Sequence, residues 1–295
     1  MSDVRAAAVY GRPAAGRPRR TASRWRRVLR NRPLVVGGCL AGLAVAMALL
    51  APLLAPYDPL TYHPDHTLEG PSRAFLLGTD NLGRDTLSQD IYGARISLAV
   101  GSAAVLLGMV VGVPWGLVSG FLGGRLDYVL MRLADVALVF PSLVLALVIR
   151  AFLGSSLLNV IVALGVTITP GLARVTRGEV LGIRSRDFVV AAVATGASTS
   201  RILVRQIVPN ILDLIVVLGT AGMGGAILTE ASLSFLGFGT PPPAPSWGRM
   251  LREGYAYLLI TPWISLSAGV AIFIAVLGFY LAGEGARRLL HRERS

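Results

Sequence analysis

The sequence predicts an all-α polytopic membrane protein with six transmembrane helices and a helical hairpin on the cytoplasmic side. Of its 295 residues, 54% are hydrophobic and 15% are charged, which is more apolar than an ordinary soluble protein. Charge-free runs long enough to cross a bilayer as helices recur along the chain. Arginines flank these runs, so the net charge of +12 indicates membrane topology rather than binding to nucleic acid.

A disordered, basic cytoplasmic tail is predicted over residues 1–33. The first 32 residues contain ten arginines and one acid, Asp3, mixed with Pro and Gly. The first transmembrane helix is predicted over residues 34–56. A cleaved signal peptide is the alternative, but the apolar run from Leu34 to about Leu54 is too long for one, and no clear cleavage site follows.

Residues 57–95 form a predicted loop on the outer side, because six acids outnumber three arginines there. Two histidines in this loop flank an acid in the string HPDH, at His63, Asp65 and His66. A metal site is conceivable, but an exposed turn is favoured because no third ligand lies nearby in the sequence. We therefore predict no metal site.

Residues 96–286 form the predicted transmembrane core, which begins with a second span from Ile96 to Gly124. Pro114 is expected to kink this span. Five glycines recur four residues apart along it, which places them in one stripe where another helix can pack closely. These glycines are Gly108, Gly112, Gly116, Gly120 and Gly124.

Four further spans complete the predicted core. The third runs from about Asp127 to Ile149. Arg132 and Asp135, three residues apart, are expected to pair near its cytoplasmic end. The other spans are predicted over residues 157–173, over residues 210–231 and from Trp263 to Gly283, with a short surface helix over residues 246–258 before the last. A cytoplasmic tail is predicted over residues 287–295.

Polar and small residues inside the fifth span are candidates for lining a translocation path. Carboxylates are costly in lipid unless they face water or a partner, which singles out Asp213 near the cytoplasmic end and Glu230 near the outer end. The glycine-rich middle leaves room for a path, although close packing against a partner helix explains it equally well. The full set of candidates is Asp213, Gly222, Met223, Gly225 and Glu230.

The distribution of arginines orients the predicted spans. Twenty of the 28 arginines lie in the N-terminal tail, in residues 174–205 and at the C-terminal end, which places these segments and both termini in the cytoplasm. Because the chain has no lysine, it lacks the lysine of a Walker phosphate loop, and no other catalytic constellation is evident. We therefore predict that the chain is not an enzyme and does not hydrolyse ATP itself.

The cytoplasmic segment between the fourth and fifth spans has the sequence DFVVAAVATGASTSRILVRQIVP, which predicts a hairpin of two short helices over residues 187–206. Asp187 is expected to cap the first helix, and Gly196 is expected to end it in a left-handed conformation. Ser198 is expected to cap the second helix, and Pro209 marks the start of the next span.

This segment resembles the EAA loop of permease subunits of ABC importers, through Ala191, Ala192, Gly196, Ile207 and Pro209. In that family the loop is the coupling helix, which docks on a separate ATPase subunit. The chain departs from the family pattern at Val190, where a Glu is usual, so docking is expected to depend more on shape and on arginines. The residues implied to dock are Asp187, Val190, Ala191, Ala192, Gly196, Ala197, Arg201, Arg205 and Pro209. The alternative is a solvated hairpin that has no partner.

Two further strings extend the resemblance over roughly residues 75–286. The segment from Phe75 to Ser97 and the string GGAILTEASLSFLGFGTPPPAPSWG are similar to the second permease subunit of dipeptide, oligopeptide and nickel importers. The resemblance implies a bacterial cytoplasmic membrane protein that works with a homologous permease, two ABC ATPase subunits and an extracytoplasmic substrate-binding protein. It implies ATP and Mg on the ATPase subunits, no cofactor in this chain, and no nucleic acid as a partner.

The function implied by the resemblance is the uptake of dipeptides or oligopeptides through a path shared with the homologous permease. A permease for nickel or another small solute is an alternative within the same family. A carrier that needs no ATPase, or a membrane scaffold, would leave the resemblance unexplained. The sequence leaves the substrate open, because in this arrangement the separate binding protein does most of the selecting.

Overall fold

The computed structural model describes residues 29–294 of the chain, with side chains up to residue 289. The predicted disordered tail therefore lies almost wholly outside the described residues. A 3₁₀ turn (Pro64–His66) and a π-helical turn (Leu203–Ile207) accompany eleven α-helices in the described part. In chain order these are α1 (Arg32–Leu49), α2 (Ala51–Leu54), α3 (Thr86–Leu122), α4 (Gly124–Val139), α5 (Ser142–Leu153), α6 (Leu157–Arg184), α7 (Asp187–Ala194), α8 (Thr199–Ile202), α9 (Val208–Phe235), α10 (Trp247–Tyr255) and α11 (Trp263–Arg294).

Five helical stretches in the described part are long and apolar enough to cross a membrane. They are α1, α3, α6, the continuous stretch from α8 to the end of α9, and α11. The number rises to six if the bent pair of α4 and α5 is counted as one span. The predicted all-helical fold with six spans is therefore confirmed, with one of the six spans broken.

The second span begins ten residues earlier than predicted, at Thr86 rather than Ile96. The Asp85 carboxylate accepts a hydrogen bond of 2.8 Å from the backbone N–H of Ser88, which satisfies a free donor at the helix start. The last ten residues of the predicted loop therefore form the first turns of α3. The helix then continues through Pro114 to its last residue, Leu122.

The glycine stripe of α3 lies directly against the backbone of α6. A Cβ atom at Gly112 would lie 2.7 Å from the carbonyl oxygen of Thr169, and one at Gly116 would lie 2.4 Å from that of Ala173. The helices approach this closely only because these positions have no side chain. Gly124 does not belong to the stripe, since it starts α4 with a φ of +62° and has no atom within 4 Å of its added Cβ.

The predicted third span is wrong as a single helix, because α4 and α5 meet at an angle of 93°. Phe140 is extended, with a ψ of 134°, since the ring of Pro141 disfavours a helical conformation in the residue before it. Asp135 pairs with Arg174 of α6 rather than with Arg132. This ion pair therefore joins two helices, as does the pair of Arg177 with Asp127, whose guanidinium and carboxylate lie 2.6 Å apart.

A second close helix contact, which the sequence analysis missed, joins α1 to α11. A Cβ atom at Gly37 would lie 2.2 Å from the backbone nitrogen of Ala282, and one at Gly278 would lie 2.5 Å from that of Ala41. The side-chain amide of Asn31 also donates a hydrogen bond of 2.7 Å to the carbonyl of Gly285. These contacts fix the first span against the last span.

We expect Gly116→Ala to destabilise the protein, because the added methyl group would overlap the α6 backbone. Overpacking of this kind costs roughly 1–3 kcal/mol. The matched control is Gly178→Ala on α6, where an added Cβ meets nothing within 4 Å. Thermal unfolding of the purified chain in detergent should show a lower midpoint for Gly116→Ala only, and equal midpoints for the two variants would contradict the packing argument.

Candidate functional site

The hairpin that was predicted on the cytoplasmic side, called the cytoplasmic hairpin below, consists of α7, the turn after it, α8 and the π-helical turn, over residues 187–207. Gly196 ends α7 in the left-handed region with a φ of +76°, as predicted. The N–H groups of Gly196 and Ala197 donate hydrogen bonds of 3.0 and 3.1 Å to the carbonyls of Val193 and Ala192. This pair of bonds is a Schellman motif, which closes the end of the helix and fixes the reversal of the chain.

Neither predicted helix cap of the hairpin forms. Asp187 is the first helical residue of α7, and Arg186 holds the cap position without a side-chain bond. Ser198 does hold the cap position of α8, but its hydroxyl makes no bond to the helix and lies 3.4 Å from that of Ser200. The carboxylate of Asp187 still lies at the positive end of the α7 dipole, which it stabilises modestly.

The hairpin passes into the membrane without an interruption at Pro209. The helical chain runs continuously from Thr199 to Phe235, so α8 is the inner end of a long span and not a separate helix. The N–H of Val208 donates to the carbonyl of Leu203, five residues back, in the π-helical turn that precedes Pro209. This wider turn accommodates a proline, which lacks an N–H and clashes with a regular helical turn before it.

The two faces of α7 have different surroundings. Val189 and Ala192 are buried against the rest of the protein. An exposed apolar face remains on another side, defined here as Val190 and Val193, which lie three residues apart and are each 56% exposed. Ala192, which was also predicted to dock on a partner, packs inward. Apolar side chains left exposed on a cytoplasmic element are typical of a protein-binding surface.

The buried side of the hairpin joins one apolar cluster with three spans. The cluster brings Val189 and Ala192 of α7 and Ile202 of α8 against residues of α3, α6, the π turn and α9. Because a packed cluster of this kind does not deform freely, a displacement of α7 is transmitted to all three spans. The buried residues contributed by them and by the π turn are Val113, Leu117, Phe121, Val180, Ile183, Ile207 and Ile211.

The predicted path residues of α9 do not share one surface. Asp213 and Gly225 are exposed, whereas Gly222 is half-buried and faces Val105. Met223 packs against the core cluster formed by α1, α3, α9, α10 and α11. Glu230 has no exposed surface at all. A role in the path remains a prediction for these residues, and complete burial argues against it for Glu230.

Glu230 instead holds together the end of the protein opposite the hairpin, which is called the outer end below because it was predicted to face outward. Its carboxylate accepts hydrogen bonds from the hydroxyls of Ser97 at 3.0 Å and Ser234 at 2.7 Å, and the hydroxyl of Thr240 lies at 3.5 Å. Trp247, the first residue of α10, is fully buried beside this group, and its backbone N–H donates to the hydroxyl of Ser97 at 3.4 Å. The buried carboxylate therefore joins α3, α9 and the segment before α10.

Polar side chains of the outer loop form hydrogen bonds and ion pairs within the loop and with α10. The Arg84 guanidinium donates to Asp80 at 2.6 Å and to Glu253 of α10 at 3.0 Å. Nδ1 of His63 lies 3.1 Å from the carbonyl of Gly83, while Nδ1 of His66 lies 2.9 Å from the Glu69 carboxylate. The contact of Arg84 with Glu253 joins residues 169 positions apart, so no local pattern in the sequence predicts it.

The sequence matches two family models. Residues 112–294 match the binding-protein-dependent transport system inner membrane component. Residues 20–71 match the N-terminal TM domain of oligopeptide transport permease C. Together these matches cover α1, α2, the last eleven residues of α3 and every helix after it, including the cytoplasmic hairpin.

Three curated relatives align with most of the chain. The glutathione transport system permease protein GsiD of Pectobacterium atrosepticum is 42% identical over 90% of this chain and 89% of its own length. The dipeptide transport system permease protein DppC of Alkalihalophilus pseudofirmus is 38% identical over 90% and 88%. The oligopeptide transport system permease protein OppC of Bacillus subtilis is 39% identical over 88% and 85%.

A solved structure shares the fold. An inward-facing conformation of the MetNI methionine ABC transporter matches with a TM-score of 0.58. The match covers 70% of this chain and 96% of that chain, at 21% identity. At this level of identity the likeness concerns the arrangement of helices alone.

We expect Glu230→Ala to destabilise the protein more than Asp213→Ala. Removal of the Glu230 carboxylate leaves the buried hydroxyls of Ser97 and Ser234 without their acceptor, at a cost of roughly 1–3 kcal/mol for a group of this kind. Asp213 is exposed and serves as the control. The measurement is the thermal unfolding midpoint of each purified variant, and an equal decrease for both would show that Glu230 does not hold the outer end together.

Proposed function

The chain belongs to the family of binding-protein-dependent transport system inner membrane components, and from this premise we propose that it serves the uptake of short peptides. It is an integral membrane protein and a permease subunit of an ABC importer. One observation carries the peptide assignment: the relatives described above are named for dipeptides, oligopeptides and glutathione, which is itself a tripeptide. The alternative solutes, such as nickel, have no comparable support among them.

The proposal includes partners that supply what this chain lacks. A homologous permease completes the path, and an extracytoplasmic binding protein delivers the peptide. Two ATPase subunits bind ATP and Mg, since this chain has no lysine with which to form a Walker phosphate loop. In this proposal the chain forms part of the translocation path and connects it mechanically to the ATPase subunits. It needs no cofactor of its own.

In the proposed mechanism, the exposed apolar face of α7 docks on one ATPase subunit. Val190 and Val193, three residues apart, expose apolar side chains of the kind that a helix buries in a hydrophobic groove. Val190 stands where the family usually has Glu, so the contact at this position is apolar. ATP binding on the partner moves α7, and the apolar cluster behind it transmits the movement to α3, α6 and α9.

The proposed path runs along the exposed side of α9, which faces the second permease. Asp213, Val216, Gly225 and Leu228 lie on this side of the helix, and Gly225 has nothing within 4 Å of an added Cβ. In this orientation both termini and the hairpin face the cytoplasm, in agreement with the arginine distribution. The outer loop and α10 face the binding protein.

Deletion of this chain should abolish uptake of a radiolabelled dipeptide or tripeptide such as trialanine by the native cells. Complementation with the intact chain should restore uptake, because the partner subunits remain present. Nickel uptake, measured in the same cells with the radioactive ion, is expected to be unchanged. Loss of nickel uptake with normal peptide uptake would replace the proposed substrate class with the alternative.

Val193→Arg should release the ATPase or uncouple it, because the interface would bury a charge without a partner. We expect at least a tenfold loss of ATPase subunit retained during purification of the complex. Val190→Glu is the control on the same face, and it should be tolerated because it restores the family residue.

Ala192→Arg is not an equivalent test, since Ala192 is buried and its replacement would disrupt the hairpin itself. Full retention of the ATPase and normal substrate-stimulated hydrolysis in Val193→Arg would exclude α7 as the docking element. The same result would also remove one argument for a cytoplasmic hairpin, namely that the hairpin docks on an ATPase subunit.

A further inference from the structure

A cavity of about 550 Å³ opens at the end of α9 that lies opposite the cytoplasmic hairpin. Its walls come from the outer loop, the outer end of α5, the segment that follows α9, and α10. This volume lies within the range of sites that bind small molecules. The polar residues that decide its chemistry are Arg84, Arg150, Ser155, Arg249, Arg252 and Glu253.

The cavity is strongly cationic, since four guanidinium groups line it with one carboxylate. Glu253 is shared by two of the four: it accepts from Arg84 at 3.0 Å and from Arg249 at 2.7 Å. Arg84 is further held by Asp80, which lies just behind the wall. These ion pairs fix two arginines in place and leave two others without a negative partner.

Arg150 is the first of the two arginines without a carboxylate. It is only 4% exposed, yet its guanidinium donates only to the neutral carbonyls of Phe238 at 2.9 Å and Gly239 at 3.3 Å. A buried charge with no counter-ion is costly, and a guanidinium has five N–H donors, most of which remain available here. Such a group is normally compensated by an anion.

Arg252 is the second of the two, and it lies at the mouth of the cavity. Its guanidinium rests over Gly237, where an added Cβ atom would lie 2.2 Å from Nη1. Because Gly237 has no side chain, the Arg252 guanidinium can lie directly over its backbone. Among the described residues, no acid lies within ion-pair distance of Arg150 or Arg252.

We propose that this cavity binds the free carboxylate of a short peptide on the outer side, with Arg150 and Arg252 as the cationic groups. A guanidinium fork matches a carboxylate with two parallel hydrogen bonds, which favours this group over a neutral amide. The burial of Arg150 favours a small ligand over a protein surface, because only a group that enters the cavity reaches it. The identity of the ligand as a peptide depends on the proposed function.

The test measures equilibrium binding of radiolabelled trialanine to the assembled complex of permeases and ATPases in nanodiscs, without the binding protein. Trialanine amide, which lacks the negative charge, should bind about tenfold more weakly. Arg252→Gln should weaken the binding of trialanine to a similar degree. Arg252 is exposed, so this variant is expected to fold.

The matched control is Arg73→Gln, which removes the same charge from an exposed position of the outer loop outside the cavity. It should bind trialanine as the unmodified complex does. Equal binding of trialanine and its amide, or an equal effect of the two arginine variants, would overturn the proposal.

The experiment also distinguishes binding of a peptide in the cavity from binding of a carboxylate that belongs to the substrate-binding protein. If Arg252→Gln weakens association of the binding protein while trialanine binding stays unchanged, the cavity is a docking site and the proposal is wrong. The complex with its binding protein is assayed in proteoliposomes in parallel. Normal trialanine import without trialanine binding in nanodiscs would refute the cavity assignment alone, whereas absence of import would refute the proposed function.

Discussion

The close backbone contact between α3 and α6 is the interaction on which the rest of the structure depends. Lipid gives apolar helices little reason to associate, so helix contacts in a bilayer rely on close packing, which glycine permits. Gly112 and Gly116 bring the two helices together along much of their length. Because α3 starts at the outer loop and α6 leads into the hairpin, this pair joins the two functional ends of the chain.

The features that could be predicted from the sequence are those with a local physical cause. The apolar runs predicted the spans, and the four-residue spacing of glycines predicted the stripe. The position of Gly196 predicted the end of α7. The bend between α4 and α5 was also encoded locally, in Pro141, but the apolar run across it concealed the break. A continuous hydrophobic run predicts how many residues lie in the membrane, but it does not show whether the helix bends within it.

The features that could not be predicted depend on helix rotation and on distant partners. Every residue from Phe188 to Ala194 in α7 is apolar, so the sequence contains no polar face that would orient the helix. Only the packing of Val189 and Ala192 in the structure shows which side of α7 faces the protein interior. Glu230 lies 133 residues from Ser97, and no local pattern shows that a carboxylate in a span is held by hydroxyls.

The continuous helix from Thr199 to Phe235 has a consequence for the direction of movement. Its 37 residues form a lever about 55 Å long, so a tilt of about 5° displaces one end by about 5 Å relative to the other. One end of this helix is held to α3 through Glu230, whereas the other end carries the hairpin. A small rotation about the end that Glu230 holds would therefore displace the hairpin by a much larger distance.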